Sequence, residues 1–258
     1  MIYGYYSTPM EWYKAGILIF TGLIAGFINT VAGGGSLITL PVMIFLGLPP
    51  VVANGTNRIA LFLQNISAIA GFRSKGIFVF PYSLWLALSA LLGAGLGAKI
   101  SVELSGQTFE RILAIVMILV VVLTVFHRTN DQSSQTEKLD GYHKVFGIIA
   151  FFFVGIYGGF IQAGVGFIVL GSLTWINRLS LVRANSIKVF VIFIYTFAAL
   201  GVFIYENKVN WLYGLILAVG NVTGAWIASR WSVEKGDKWI RRILLVAVSI
   251  MSIKLWFF

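Results

Sequence analysis

The chain has 258 residues, of which 59% are hydrophobic and 11% are charged, and its mean hydropathy is +0.90. A soluble globule of this composition would expose too much apolar surface, so we expect a protein of the lipid bilayer. The absence of cysteine excludes disulfides, thiolate metal sites and cysteine nucleophiles. The formal net charge of +10 comes from lysines and arginines between apolar segments. That distribution is typical of membrane topology and not of nucleic-acid binding.

Apolar segments in chain order predict ten helices. They are continuous and do not alternate, which favours membrane helices over a transmembrane barrel. The first half places them at 14–31, 35–47, 56–72, 78–100 and 108–127. The second half places them at 144–162, 166–177, 187–205, 210–231 and 238–257. We therefore divide the chain into an N-terminal transmembrane repeat (1–127), a cytoplasmic linker (128–143) and a C-terminal transmembrane repeat (144–258).

The two halves repeat one another. Segment 22–29 resembles segment 155–162, and later positions match at a constant spacing of 131 residues. The pairs at this spacing include Gly33 with Gly164, Asn54 with Asn185, and Gly93 with Gly224. Secondary transporters have duplicated, glycine-interrupted apolar chains of this kind, with the substrate site between the repeats at mid-membrane. The repeat therefore predicts a solute carrier.

The first apolar stretch is too long for one crossing. No charged residue lies between Lys14 and Arg58. A straight helix from Lys14 to Gly47 would reach about 50 Å against a hydrocarbon core of about 30 Å. We expect the chain to fold back at the glycine cluster, which would insert the second half upside down. The positive-inside rule then counts thirteen cations on one side, including Lys188, and six on the other, including Arg58. A mere kink would give parallel repeats and a weaker bias of about eleven against eight.

These observations predict an all-α polytopic helical membrane protein. Its two inverted repeats each consist of a Gly-broken helical hairpin plus three transmembrane helices. We expect a multi-pass protein of the cell inner (plasma) membrane, with both termini outside.

The glycine clusters at 33–36 and 164–166 interrupt apolar helices and free backbone N–H groups that lipid cannot satisfy. A helix that restarts after such a break points its positive dipole end inward and can bind an anion. The alternative is that these glycines permit only a tight turn and close packing, as we expect for the glycines of Gly93–Gly97.

Every Asp and Glu lies in a loop or, like Glu110, at the end of a predicted span, which disfavours carboxylate-based ion coupling and a cationic substrate. Lys188 consequently has no carboxylate counter-ion and either contacts an anion or extends to the cytoplasmic face. We expect a small oxyanion as substrate and no catalytic residue, metal or cofactor. The predicted substrate-binding residues are the break glycines and the polar side chains near them: Asn29, Gly33, Gly34, Gly35, Ser36, Asn54, Asn57, Gln162, Gly164, Gly166, Asn185 and Lys188.

Several motifs resemble those of the sulfite exporter TauE/SafE family. They are Gly22-x-x-x-Gly26, then Ala32 to Pro41, Leu46 to Pro49 and Ala53 to Thr56, with Gly155 to Gly171 and Arg183 to Lys188 in the second half. The resemblance implies a bacterial-type inner-membrane carrier that exports small sulfur-containing anions, such as sulfite and sulfoacetate. The halves differ at two positions, where Gly34 corresponds to Val165 and Asn57 to Lys188, so they need not contact the anion equally.

Three alternatives remain beside this interpretation. The carrier could act on another small anion or on a neutral metabolite, or the chain could be a non-transporting membrane partner. A membrane-embedded enzyme is disfavoured because no nucleophile or general base is evident. The expected partners are the small anion and the lipid bilayer, with no nucleic acid, and a homo-oligomer is compatible with the sequence.

Overall fold

The structure is a computed structural model that describes residues 11–126, 137–240, 242, 243 and 246. Within these ranges lie nine helices: α1 (Trp12–Val31), α2 (Ser36–Phe45), α3 (Pro50–Ser74), α4 (Tyr82–Glu103), α5 (Gly106–Phe126), α6 (Gly141–Phe160), α7 (Val165–Asn177), α8 (Leu181–Tyr205) and α9 (Trp211–Lys235). The described residues contain no strand, so the prediction of an all-α fold is confirmed. Of the predicted tenth helix, 238–257, the structure describes residues 238–240, 242, 243 and 246, and these are helical. Residues 128–136 of the predicted linker, 128–143, lie outside the described residues.

Five of the described helices, α1, α4, α6, α8 and α9, are long and apolar enough to cross a bilayer. Large apolar side chains on these helices are exposed, among them Phe20, Leu92, Phe153 and Phe197. Such surfaces are unfavourable in water and suit contact with lipid. The chain is a multi-pass membrane protein.

Both glycine breaks reverse the chain. Gly35 lies against Ala25 and Asn29 of α1, so α2 returns along the helix that precedes it. At the far end of α7, Asn177 exchanges hydrogen bonds with Lys138, just before α6 begins. The predicted fold-back is therefore present in both halves.

The third helix of each half begins six residues earlier than predicted. Sequence placed these starts at 56 and 187, whereas α3 begins at Pro50 and α8 at Leu181. A proline is well suited to the first helical position because its missing N–H needs no partner there. In α8, Ser180 accepts a hydrogen bond from the Arg183 backbone N–H, and Asp237 accepts from Leu181 N–H. The predicted starts were wrong because the polar residues of these first turns are bonded inside the protein.

Close helix packing relates the two halves. α1 packs along α9, and α6 packs along α4. A Cβ at Gly26 would collide with the backbone of Asn221 in α9, and a Cβ at Gly159 would collide with Ala94 in α4. Small residues allow membrane helices to approach this closely. The equivalent first helix of each half thus packs on the fourth helix of the other half.

The predicted packing role of Gly93–Gly97 is confirmed for its two end residues. Added Cβ atoms at Gly93 and Gly97 would meet the backbone of α6, whereas one at Gly95 would meet nothing within 4 Å. Gly95 lies on the opposite side of α4, because a helix of 3.6 residues per turn brings positions four apart to one face.

The helices α3 and α8 lie at the centre and run antiparallel. Gly55, near the start of α3, contacts Phe203 near the end of α8. At the opposite end of α3, Phe72 packs in one cluster with Val189, near the start of α8. This arrangement brings the polar residues of both central helices to the broken helices.

Candidate functional site

The two helix breaks touch each other in the interior of the protein. The backbones of Gly33 and Gly166 are so close that a Cβ on either glycine would collide with the other. Gly33 and Gly164 have φ angles of +93° and +70°, a region that glycine enters without steric cost. Gln162 adopts a positive φ of 67° without being glycine. The breaks of the two halves therefore form one continuous feature.

Each break is followed by a helix without a side-chain cap. Within the described ranges, no acceptor is found for the backbone N–H groups of Gly34, Gly35 and Ser36 at the start of α2. The N-cap of α7, Gly164, has no side-chain cap either. Uncapped N–H groups and the helix dipole give both starts a positive character.

Arg58 is buried at the centre of the protein. Its side chain is fully shielded from solvent, and its guanidinium lies over the Phe203 ring at 4.7 Å. The guanidinium donates from Nη1 to the Gly158 carbonyl at 3.0 Å and from Nη2 to the Gly159 carbonyl at 2.5 Å. A further bond runs from Nη1 to Gln162 Oε1 at 3.4 Å. Arg58 thus caps the C-terminal turn of α6.

The placement of Arg58 at the outer end of a span was therefore wrong. Charge alone suggested a membrane boundary, but the carbonyls left free where α6 ends provide acceptors in the interior.

Lys188 makes the equivalent contact in the other half. It is only 1% exposed, so it does not extend to the cytoplasmic face. Its ammonium donates to the carbonyls of Asn29 at 2.8 Å and Thr30 at 2.9 Å, and to Asn185 Oδ1 at 2.5 Å. Lys188 therefore caps the end of α1, where a cation is favoured by the negative end of the helix dipole. Because Arg58 and Lys188 are both buried, the positive-inside count loses one cation on each side. The excess of cations on the same side remains.

The paired asparagines complete these caps. Asn54 and Asn185 are each the fifth residue of their helix. Asn54 Nδ2 donates to the Phe160 carbonyl at 2.7 Å, and Asn185 Nδ2 donates to the Val31 carbonyl at 2.9 Å. The third helix of each half thus satisfies the free carbonyls of the broken helix in the other half.

Two further predicted residues, Asn57 and Gln162, bond to side chains around the breaks. Asn57 donates to Ser36 Oγ at 3.4 Å and accepts from Thr39 Oγ1 at 2.8 Å. Gln162 bridges Arg58 to Tyr195, whose hydroxyl accepts from Gln162 Nε2 at 3.0 Å. These bonds connect the breaks to α3 and α8.

All twelve predicted site residues are buried and lie around the two breaks. Their role as substrate contacts stays a prediction. Sequence reasoning missed the interior position of Arg58 and the contribution of Thr39. A signal was available: Arg58 follows Asn57, which corresponds to Lys188 at the repeat spacing of 131. Each central helix therefore carries one cation at nearly the same position.

The buried charges of this region are positive. Among the described residues, Arg58 and Lys188 are buried cations, and no Asp or Glu is buried. The same residues include no group of three or more His, Cys, Asp and Glu side chains that could hold a metal ion. The cluster can offer N–H and O–H donors and positive charge.

Comparison with known proteins identifies the family. The profile of the sulfite exporter TauE/SafE family matches residues 18–255. A "probable membrane transporter protein" of a Sinorhizobium species is 29% identical over 92% of this chain and 90% of its own length. The Escherichia coli K12 protein described as "probable membrane transporter protein YfcA" is 28% identical over 93% of this chain and 88% of its own length. No solved structure matches the chain significantly. The chain belongs to the sulfite exporter TauE/SafE family.

Proposed function

We propose that the protein is a carrier, and not an enzyme, that exports small sulfur-containing anions across the cell inner membrane. Sulfite and organosulfonates such as sulfoacetate are the proposed substrates. The observation that carries the proposal is the contact between the two helix breaks, surrounded by buried donors and two buried cations. The family description and the transporter descriptions of the relatives support it.

The chemistry of the cluster favours an oxyanion over other solutes. Buried positive charge would repel a cation, because charges interact more strongly away from water. A neutral metabolite would gain nothing from two cations that are costly to bury. An oxyanion matches both the positive charge and the free N–H groups at the start of α2.

We also propose that the halves are inverted repeats and that both termini face outside. The antiparallel course of α3 and α8 supports this, because equivalent helices of parallel repeats would run the same way. Lys75 and Lys235 lie at the C-terminal ends of α3 and α9, where Lys75 pairs with Glu234 at 2.7 Å. By the positive-inside rule we assign this end to the cytoplasm.

Flux measurements on purified protein in liposomes test the substrate class. We expect labelled sulfite and sulfoacetate to cross faster than in protein-free liposomes, while acetate and glycerol do not. Equal acceleration of acetate would favour a general small-anion carrier, and acceleration of glycerol alone would favour a neutral metabolite. The absence of flux and binding for every solute would favour a non-transporting membrane partner and overturn the proposal.

A further inference from the structure

The hydrogen-bond donors of the two buried cations differ in how fully they are used. An ammonium has three N–H donors, and Lys188 has three acceptors, so its capacity is filled. A guanidinium has five N–H donors, and the bonds of Arg58 reach only three acceptors. Two Arg58 donors therefore have no acceptor within the described part of the chain, and the buried Nε is one of them.

The unused capacity of Arg58 lies at Nε and Nη2. Nε has no acceptor among the described residues. Nη2 has two hydrogens and makes one bond, to Gly159. Nε and Nη2 are neighbouring donors of the guanidinium fork, which matches the oxygens of an oxyanion.

A third unused donor belongs to Tyr195. Its hydroxyl oxygen accepts from Gln162, but its proton has no acceptor among the described residues. The side chain is fully buried and lies against Gly158, next to the carbonyls that Arg58 caps. Gln162 bonds to both side chains and holds them at the second break.

We propose that the transported anion is bound by Arg58 and Tyr195, and that Lys188 acts on it through charge while staying bonded to α1. This proposal rests on the proposed function and makes the two halves unequal in substrate binding. Arg58 and Tyr195 are shielded from solvent in this structure, so anion binding requires the surrounding helices to move apart.

Matched exchanges of arginine for lysine test the role of Arg58. Arg58→Lys keeps the charge and enough donors for the three acceptors but removes the unused Nε donor. Arg73→Lys is the matched control, because Arg73 lies in the same helix and is exposed. Titration of purified protein with sulfite and with sulfoacetate should give a dissociation constant about tenfold higher for Arg58→Lys, which is about 1.4 kcal/mol. Arg73→Lys should stay within about threefold of the parent, or below about 0.7 kcal/mol by the same conversion.

A second pair of variants keeps the proposal testable if Arg58→Lys does not fold. Tyr195→Phe removes the free hydroxyl, whereas Tyr157→Phe removes a hydroxyl that is already bonded to the Ala163 carbonyl. We expect Tyr195→Phe to weaken anion binding several-fold. Tyr157→Phe should lower the melting temperature without anion and leave the dissociation constant within about twofold.

Three results would decide against the assignment. Parent-like affinity in Arg58→Lys would show that the unused donors of Arg58 do not contact the anion, and parent-like affinity in Tyr195→Phe would show the same for its hydroxyl; either result overturns the assignment. Equal weakening by Arg58→Lys and Arg73→Lys would show that the loss does not come from the unused donors of Arg58. If the parent binds neither sulfite nor sulfoacetate, the proposed function fails first, and this assignment fails with it.

Discussion

Single side chains explain how two cations can be buried without carboxylates. Among the described residues, neither Arg58 nor Lys188 forms a salt bridge, and both donate to backbone carbonyls at the end of a broken helix. A helix end leaves its last carbonyls without intrahelical partners, and burial makes unpaired carbonyls costly. Each cation therefore offsets a cost that the helix break creates. Asn54 and Asn185 serve the same purpose, because each donates to a free carbonyl at the end of a broken helix.

The asparagine pair gives a test at this scale. Asn185→Ala would leave the Val31 carbonyl and one Lys188 donor unpaired, and Asn54→Ala would leave the Phe160 carbonyl unpaired. We expect each change to lower stability by roughly 1–3 kcal/mol, as for other buried groups that lose a partner. Thermal unfolding of detergent-purified protein measures the loss.

Thr223→Ala is the matched control for the asparagine variants. Thr223 is exposed and bonds only to the Val219 carbonyl of its own helix, so its removal should change stability by less than about 0.5 kcal/mol. If the asparagine variants melt like this control but bind the anion 1–3 kcal/mol more weakly, Asn54 and Asn185 are substrate contacts and not caps.

At the scale of elements, glycine sets the distances between helices. The breaks meet through the backbones of Gly33 and Gly166, and α1 and α6 pack on their neighbours through glycines that touch backbone atoms. Backbone cannot move aside as a flexible side chain can, so an added methyl group must push whole elements apart. The contact between the breaks should therefore be sensitive to the smallest substitution.

Alanine substitutions test the contact between the breaks. Gly166→Ala should lower both the melting temperature and the sulfite flux, because its Cβ would collide with the Gly33 backbone. Gly201→Ala in α8 is the matched control, since a Cβ there meets nothing within 4 Å. The control should be neutral or more stable by roughly 0.5–1 kcal/mol, as for alanine replacing glycine within a helix. Normal flux in well-folded Gly166→Ala protein would make this glycine dispensable for transport.

At the scale of the whole molecule, the two halves depend on each other. The first helix of each half is packed against the fourth helix of the other half, and the broken ends are capped across the halves. Neither half can bury its polar groups alone. The free energy of these contacts between halves therefore contributes to folding.

The proposed orientation can be measured with single cysteines. The chain has no cysteine, so a membrane-impermeant maleimide has no background target. Ser74, at the end of α3, and Glu206, just after α8, are exposed at opposite ends of the molecule. In intact cells we expect Glu206→Cys to react and Ser74→Cys to react only after permeabilisation. The reverse pattern would invert the orientation, and labelling of both from outside would contradict the inverted repeats.

Much of the fold followed from the sequence alone. The duplicated pattern, the charge-free stretch after Lys14 and the glycine clusters predicted two fold-backs, and both are present. These predictions succeeded because they depend on local constraints. A segment of known length must fit the hydrocarbon core, and a helix must stop where glycine adopts a positive φ.

Only the tertiary structure decided where the charged groups lie. Arg58 was placed at a membrane boundary and Lys188 was left between two positions, whereas both are capped onto helices about 100 and 160 residues away in the chain. The starts of α3 and α8 were predicted six residues too far along the chain for the same reason. Asn54 and Asn185 look like loop residues in the sequence, but their acceptors lie in the other half. Sequence determined which groups would be costly to bury, and packing between the halves determined which partners offset that cost.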